Sequence, residues 1–250
     1  MDLTTVQIIE FFHLSFLEAL SGRVEPTRYV LKGGASLRYF FGSVRYSEDI
    51  DLDILDLEPW KLADKVSELL CSPTVALLVR PQGLSIGDVN PIKQTDTTLR
   101  WKVAIDVSGR SKPVRTKIEF SNRNGEERYE LEKVRSEIVE RYALRPPNVQ
   151  HYTGDAPTEQ KVCALVGRSE TQARDVFDLE LLLRRRPLPA GSLDAGVLTD
   201  AAERALELPF TAFKDQVVRF LEPAAVELYD SQTKWEDMQT FVAQKLQDAR

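Results

Sequence analysis

A mixed α/β first part followed by a helical C-terminal region is the fold the sequence predicts, and three observations predict it. Apolar residues fall at helical spacing at Ile8, Ile9, Phe12, Phe16 and Leu20. They alternate with polar residues in short runs at 49–54 and 115–121. From Leu193 onward the helical spacing repeats. A period near 3.6 marks a helix with one buried face, and a period of 2 marks a strand.

Taken in order, Thr4–Leu20 reads as an amphipathic packing helix, and Asp2 and Glu10 stand where a signal peptide would be basic. A short strand near Tyr29–Lys32 precedes a helix from about Gly34 to Phe41, closed by Gly42. An acidic strand runs near Ile50–Leu55. Pro59, with Leu62, Val66, Leu69 and Leu70 behind it, opens another helix. Val75–Val79 is a continuous apolar run of strand length, and Pro81, Gly83, Gly87 and Pro91 then punctuate a loop. Leu99–Val107 and Arg115–Ser121 flank a Ser-Gly-Arg-Ser-Lys-Pro turn and form a hairpin. After about Gly125 helix dominates, broken at Arg145-Pro146-Pro147 and by a short strand at Val149–Tyr152. Late helices follow Leu198, Ala202 and Leu206, then Phe213, Val217, Phe220 and Leu221, then Trp235, Met238, Phe241, Val242 and Leu246.

The bulk numbers narrow the function classes. A chain of 250 residues allows one large domain or two small ones. No apolar run is long enough to span a bilayer, so no membrane role is expected. A net charge of −6 argues against a general polyanion binder. Cys71 and Cys163 lie far apart and suit a reducing cytoplasm as small buried residues. His13 and His151 are too few for a histidine-rich metal site, and neither is given a catalytic role.

The chemistry concentrates in Lys32-Gly33-Gly34-Ala35-Ser36-Leu37-Arg38 and Arg45-Tyr46-Ser47-Glu48-Asp49-Ile50-Asp51-Leu52-Asp53. On a strand, Asp49, Asp51 and Asp53 share one face, and Ile50, Leu52 and Ile54 share the other. Folding alone disfavours such a row, because the carboxylates repel and Asp is a poor strand former. A hard cation such as Mg²⁺ reverses that cost, and it commonly binds substrate phosphates as well. Paired glycines at a helix start let backbone N–H groups approach a phosphate.

In the hairpin, Lys117, Glu119 and Ser121 share one face and Ile118 and Phe120 the other. Glu119 alone reads as an ordinary partner for a Lys or Arg, or as a further carboxylate for a metal; Asp106 on the other strand competes for that role. Lys93, Arg100, Lys102, Arg110, Lys112, Arg115 and Lys117 outnumber Asp96 and Asp106, which makes either a phosphate-tracking stripe or a solvated face. Later, Ala156 to Leu165 carries Gln160-Lys161, and Ala173-Arg174-Asp175-Val176-Phe177-Asp178-Leu179 puts two acids three apart on one helix. Arg174 and Asp178 have the spacing of an i, i+4 pair. Arg184-Arg185-Arg186 at a helix end suits the helix dipole better than nucleic acid.

The order Gly-Gly, Ala-Ser, Arg, then Ser-Glu-Asp-Ile-Asp-Leu resembles the first motif of the AbiEii/AbiGii toxin family, within the polymerase-β-like nucleotidyltransferase superfamily. The Lys-Ile-Glu-Phe and Ala-Arg-Asp-x-x-Asp-Leu segments resemble its later motifs, although Gln160 stands where an acid is commoner. The resemblance implies a mixed sheet with flanking helices. It implies a core at 1–125 and, at 126–250, a mainly helical region that completes the nucleotide and acceptor site.

The resemblance also implies site roles. Asp49, Asp51 and Glu119 hold two Mg²⁺ ions. Lys32, Gly33, Gly34, Ser36, Arg38, Arg45 and Ser47 contact the triphosphate. Lys161 reaches its phosphates, and Asp175 or Asp178 holds the lysine. The implied activity is nucleoside monophosphate transfer from an NTP to RNA, with the tRNA 3′ end as acceptor, by a cytoplasmic toxin paired with an antitoxin. Modification of a protein hydroxyl or a small molecule, and an inactive nucleotide-binding module, are the alternatives; intact Asp49 and Asp51 speak against the last.

Overall fold

Ile50, Leu52, Ile118, Phe120 and Trp101 are buried, while the residues between them on their strands carry charge. One sheet therefore has a covered apolar face and a polar one, as alternation along each strand requires. A computed structural model describes residues 3–122 and 128–250. The chain divides into two compact units, the first Met1–Phe40 with Ser47–Tyr152, the second Phe41–Tyr46 with Thr153–Arg250. The expected division at 125/126 lies outside the described residues.

The first unit contains α1 (Thr5–Ser21), β1 (Tyr29–Lys32), α2 (Gly33–Phe40), β2 (Asp49–Ile54), α3 (Pro59–Leu70) and α4 (Pro73–Val79). It continues with β3 (Leu84–Gln94), β4 (Thr98–Val107), β5 (Val114–Ser121), β6 (Tyr129–Lys133), α5 (Ser136–Val139) and β7 (Asn148–Tyr152). The seven strands form a mixed sheet in the order β3-β4-β5-β2-β1-β7-β6. The β2–β5 and β1–β7 pairs are parallel and the other pairs antiparallel. Thr4 opens α1 with a capping box closed by Gln7. The helix packs on α3, α4, β5 and β7. It is buried nearly all round, not along one stripe, and takes Glu10 and His13 inside with it.

Three local expectations are corrected. Val75–Val79 belongs to helix α4, because Ser72 accepts from the Val75 N–H and Pro73 stands in the first turn. The expected loop at 81–91 lies mostly within β3. Its Pro91 is tolerated on an edge strand whose register shifts between Ile86 and Val89 and again between Pro91 and Lys93. Tyr129–Lys133, where helix was expected, is strand β6, paired with β7.

The second unit holds α6 (Ala156–Gly167), α7 (Ala173–Arg185), α8 (Ala195–Glu207), α9 (Phe210–Gln216), α10 (Pro223–Tyr229) and α11 (Gln232–Asp248). It has its own apolar core, with Phe213 stacked on Trp235 at 4.5 Å. Segment 41–46 joins it through the bridge Arg45↔Leu221. Cys71 and Cys163 are exposed, against expectation, so neither serves as core filler. Among the described residues no helix is long and apolar enough to cross a membrane.

Candidate active site

Strand register decides which acids stand together. Parallel pairing of β2 with β5 sets Asp51 opposite Glu119 and Asp49 opposite Lys117. Antiparallel pairing of β4 with β5 sets Arg100 opposite Glu119 and Lys102 opposite Lys117. All six therefore point from the polar face of the sheet. Asp106 lies six residues beyond Arg100 on β4, roughly 20 Å along the strand, so Glu119 and not Asp106 neighbours Asp51.

The carboxylates already attract cations. Lys117 Nζ lies 2.6 Å from Asp49 Oδ2, and the Lys117 backbone N–H donates to Asp49 Oδ1 at 3.1 Å. Arg100 Nε donates to Glu119 Oε2 at 2.6 Å. The ordinary ion pair foreseen for Glu119 is thus present, and a divalent ion would compete with Arg100 for the carboxylate. Three carboxylates on one face, Asp49 and Glu119 each beside a cation, fit a hard divalent ion in charge and donor type.

The motif's glycine has a steric reason. Gly33 has φ +68°, and a Cβ built there would lie 2.9 Å from Asp51 Oδ2. Ser47 Oγ donates to the Asp49 carbonyl at 2.8 Å. Asp53 is buried and spoken for, with Lys32 Nζ at 2.5 Å and the Tyr152 hydroxyl donating at 2.8 Å. Lys32 thus meets Asp53 here. Gly34 is half-buried and Ser36 buried in the first turns of α2. Arg38, expected at the phosphates, lies inside the fold and donates from Nε to Glu10 Oε1 at 2.7 Å. Glu10 also accepts from the Tyr142 hydroxyl at 2.7 Å.

His13 is a support that sequence reading missed. Thr116 Oγ1 donates to the Glu48 carbonyl at 2.7 Å, so it accepts from His13 Nε2, also at 2.7 Å. This chain holds the residue preceding Asp49. Burial drives the His13 pKa down to about 3, so the ring stays neutral. A lone histidine on a helix gives no sequence signal of a partner 103 residues away.

The second unit carries the other cluster. Lys161 on α6 reaches two acids one turn apart on α7, Asp175 Oδ1 at 3.0 Å and Asp178 Oδ2 at 2.6 Å. Both acids are fully buried. Arg168 Nε lies 2.9 Å from Asp175 Oδ2, and Arg45 Nη2 donates to both oxygens of Asp178, at 3.1 and 2.9 Å. Arg45 and Lys161, not the expected Arg174, are the ion-pair partners of Asp178 among the described residues. Burial pushes the Asp178 carboxyl up, but Arg45 and Lys161 overcome it and hold the pKa below the usual value. Burial likewise lowers Lys161, but Asp178 and Asp175 outweigh it and leave the ammonium above its ordinary pKa. Lys161 is therefore a fixed, permanently charged group.

Residues 15–249 match the family described as "Nucleotidyl transferase AbiEii toxin, Type IV TA system". No curated protein matches the chain by sequence. Among solved structures, JHP933 from Helicobacter pylori superposes with a TM-score of 0.60 at 20% identity, covering 99% of this chain and 96% of that one. A putative nucleotidyltransferase from H. pylori gives 0.57 at 18% identity, covering 96% and 95%. MenT4, a nucleotidyltransferase toxin from Mycobacterium tuberculosis H37Rv, gives 0.57 at 18% identity, covering 98% and 84%. At these identities the structures show a shared fold.

Proposed function

Because the chain belongs to the AbiEii family of nucleotidyltransferase toxins, we propose that it transfers a nucleoside monophosphate from an NTP to RNA, with the tRNA 3′ end as acceptor. The family makes it a toxin–antitoxin nucleotidyltransferase with a cognate antitoxin as partner. Blocked translation in the cytoplasm is the proposed outcome. The observation that carries the reading is the register that sets Glu119 beside Asp51 on the polar face of the sheet.

In the proposed reaction an acceptor hydroxyl oxygen attacks the α-phosphorus. The bond to the β-phosphate oxygen breaks, pyrophosphate leaves, and the hydroxyl proton passes to base or solvent. Asp49, Asp51 and Glu119 would hold Mg²⁺, which when bound offsets phosphate charge and acidifies the hydroxyl. Lys117 and Arg100 release Asp49 and Glu119 for that role. Gly33 and Gly34 bring backbone close to phosphate, Ser36 lies in the same helix start, and Ser47 supports the start of β2. Lys161 is assigned to a nucleotide phosphate, with Asp175 and Asp178 as positioning residues. Arg45 and Arg38 act through their buried acids, Asp178 and Glu10.

The test incubates the protein with total RNA, a protein extract, Mg²⁺ and each α-labelled NTP in turn. Label in tRNA that is lost in Asp51→Asn supports the reading. Label confined to protein replaces the acceptor, and labelling by Asp49→Asn and Asp51→Asn at the wild-type rate removes the site.

A further inference from the structure

Glu130, Glu132 and His151 form a separate polar cluster. Their ligand atoms all lie within 4.8 Å of one another. The β6–β7 register sets Glu130 opposite His151, and Glu132, two residues on, shares that side of β6. His151 is also opposite Leu31 of β1, which in turn is opposite Leu52 of β2. The cluster therefore lies on the other sheet face from Asp49 and Asp51. It is also two (His151) to three (Glu130, Glu132) strand spacings from β2, roughly 10–14 Å.

The imidazole makes this more than a group of acids. His151 Nδ1 lies 3.0 Å from the Tyr152 carbonyl oxygen, which only accepts, so Nδ1 carries the hydrogen. Nε2 lies 3.2 Å from Glu132 Oε2. In a neutral ring that nitrogen presents a lone pair to a carboxylate, and the two repel. The approach becomes favourable only with a positive centre between them, either a second proton or a metal ion. Burial opposes an imidazolium, because His151 is 3% exposed, and the flat stack of Phe40 at 3.7 Å and 3° fixes the plane of the ring.

We propose that Glu130, Glu132 and His151 bind a divalent transition-metal ion of the zinc class, which ties edge strand β6 to β7. One nitrogen and two carboxylates with a fourth position open at the sheet edge suit zinc. The imidazole selects against Mg²⁺ and Ca²⁺, which take oxygen ligands. A backbone carbonyl on the far ring nitrogen is the contact that commonly orients a metal-binding histidine. The site does not depend on the nucleotidyltransferase reading, because it shares no residue with the carboxylates of β2 and β5.

The test titrates chelator-treated protein with Zn²⁺ by calorimetry, in wild type and in the Asp49→Asn, Asp51→Asn double variant, which removes the two β2 carboxylates assigned to Mg²⁺. One ion should bind in the double variant, and Mg²⁺ in large excess should not displace it. Replacing Glu130 and Glu132 by Gln in that background should weaken Zn²⁺ at least about 100-fold. Both residues are exposed, so the fold should persist, as circular dichroism will show. Nitrogen-15 spectra of the ring should show Nε2 of His151 shifting on zinc addition while Nδ1 keeps its proton. No stoichiometric binding in the double variant, undiminished binding after the Glu replacements, or an unmoved Nε2 resonance would each overturn the site.

Discussion

Gly33 leaves its neighbour no room to give way. Its φ of +68° costs any other residue about 1–2 kcal/mol, and a methyl there meets Asp51 Oδ2 at 2.9 Å. Gly33→Ala should therefore lower the melting temperature by several degrees and cut nucleotide transfer far more than that loss explains. Thermal melts and label incorporation measured on the same preparation check this; intact transfer would show that Asp51 need not hold its place. At this scale the sequence told half the story. The alternation of Asp49, Asp51 and Asp53 on one face was legible because it depends only on the strand period. Their different circumstances were not legible. Asp53 is buried between Lys32 and Tyr152, and Asp49 and Glu119 are exposed enough to exchange partners. Those partners come from other strands, and only the register supplies them.

At the scale of elements, α6 and α7 behave as one electrostatic unit. Lys161 is the shared counterion of two fully buried acids, so Lys161→Ala leaves each with one guanidinium. The change should destabilise the protein by roughly 3 kcal/mol as well as weaken nucleotide binding. Lys161→Arg should recover part of the stability without full activity, because a planar fork cannot replace a point charge between two acids. Denaturant melts and nucleotide titrations of both variants separate the effects; unchanged stability in the alanine variant would contradict the geometry. The β4–β5 hairpin gives a second test. Arg110, Lys112 and Arg115 are exposed, and Arg110 also donates to the Leu3 carbonyl at 2.7 Å. Replacing all three by Gln should weaken tRNA binding more than NTP binding and flatten its salt dependence by roughly two to three units. Identical slopes would remove this hairpin segment from the acceptor site. Most elements were legible because a period and a start signal agreed, as at Pro59–Leu70, where Pro59 stands in the first turn. Val75–Val79 failed because an apolar run without period fits either state, and the Ser72 cap with Pro73 decided for helix. Leu84–Gln94 failed because an edge strand with shifted register tolerates the glycine and proline that read as a loop.

At the scale of the whole molecule, the two units should respond differently to acid. His13 binds no proton in the folded first unit until about pH 3, whereas in the unfolded chain it titrates near its ordinary 6.5. Its contribution is complete above pH 6.5 and drains away as pH falls toward 3, by on the order of 4 kcal/mol. Asp178 in the second unit has a depressed carboxyl pKa. Its contribution stays intact above the ordinary carboxylate range, near 4, and fails only below it. Hydrogen exchange between pH 7 and 4.5 should therefore show protection falling first around α1 and β5. His13→Gln, which keeps a donor toward Thr116, should flatten that fall; simultaneous loss in both units would contradict the assignment. The path of the backbone carries one more consequence. Residues 41–46 belong with 153–250, while the stretches on either side belong to the sheet unit. The chain crosses between units at 40/41, at 46/47 and at 152/153, so a single protease nick near 152 frees neither piece. The clipped fragment stays laced in place by the hydrogen bonds from Tyr46 to Phe220 at 2.7 Å and from Glu222 to Val44 at 2.9 Å. A gene truncated to 153–250 would lack Arg45, and its Asp178 would fold without one of its two counterions. The halves are thus not interchangeable cassettes: recombination that swaps the C-terminal part must bring the hexapeptide from the N-terminal part with it.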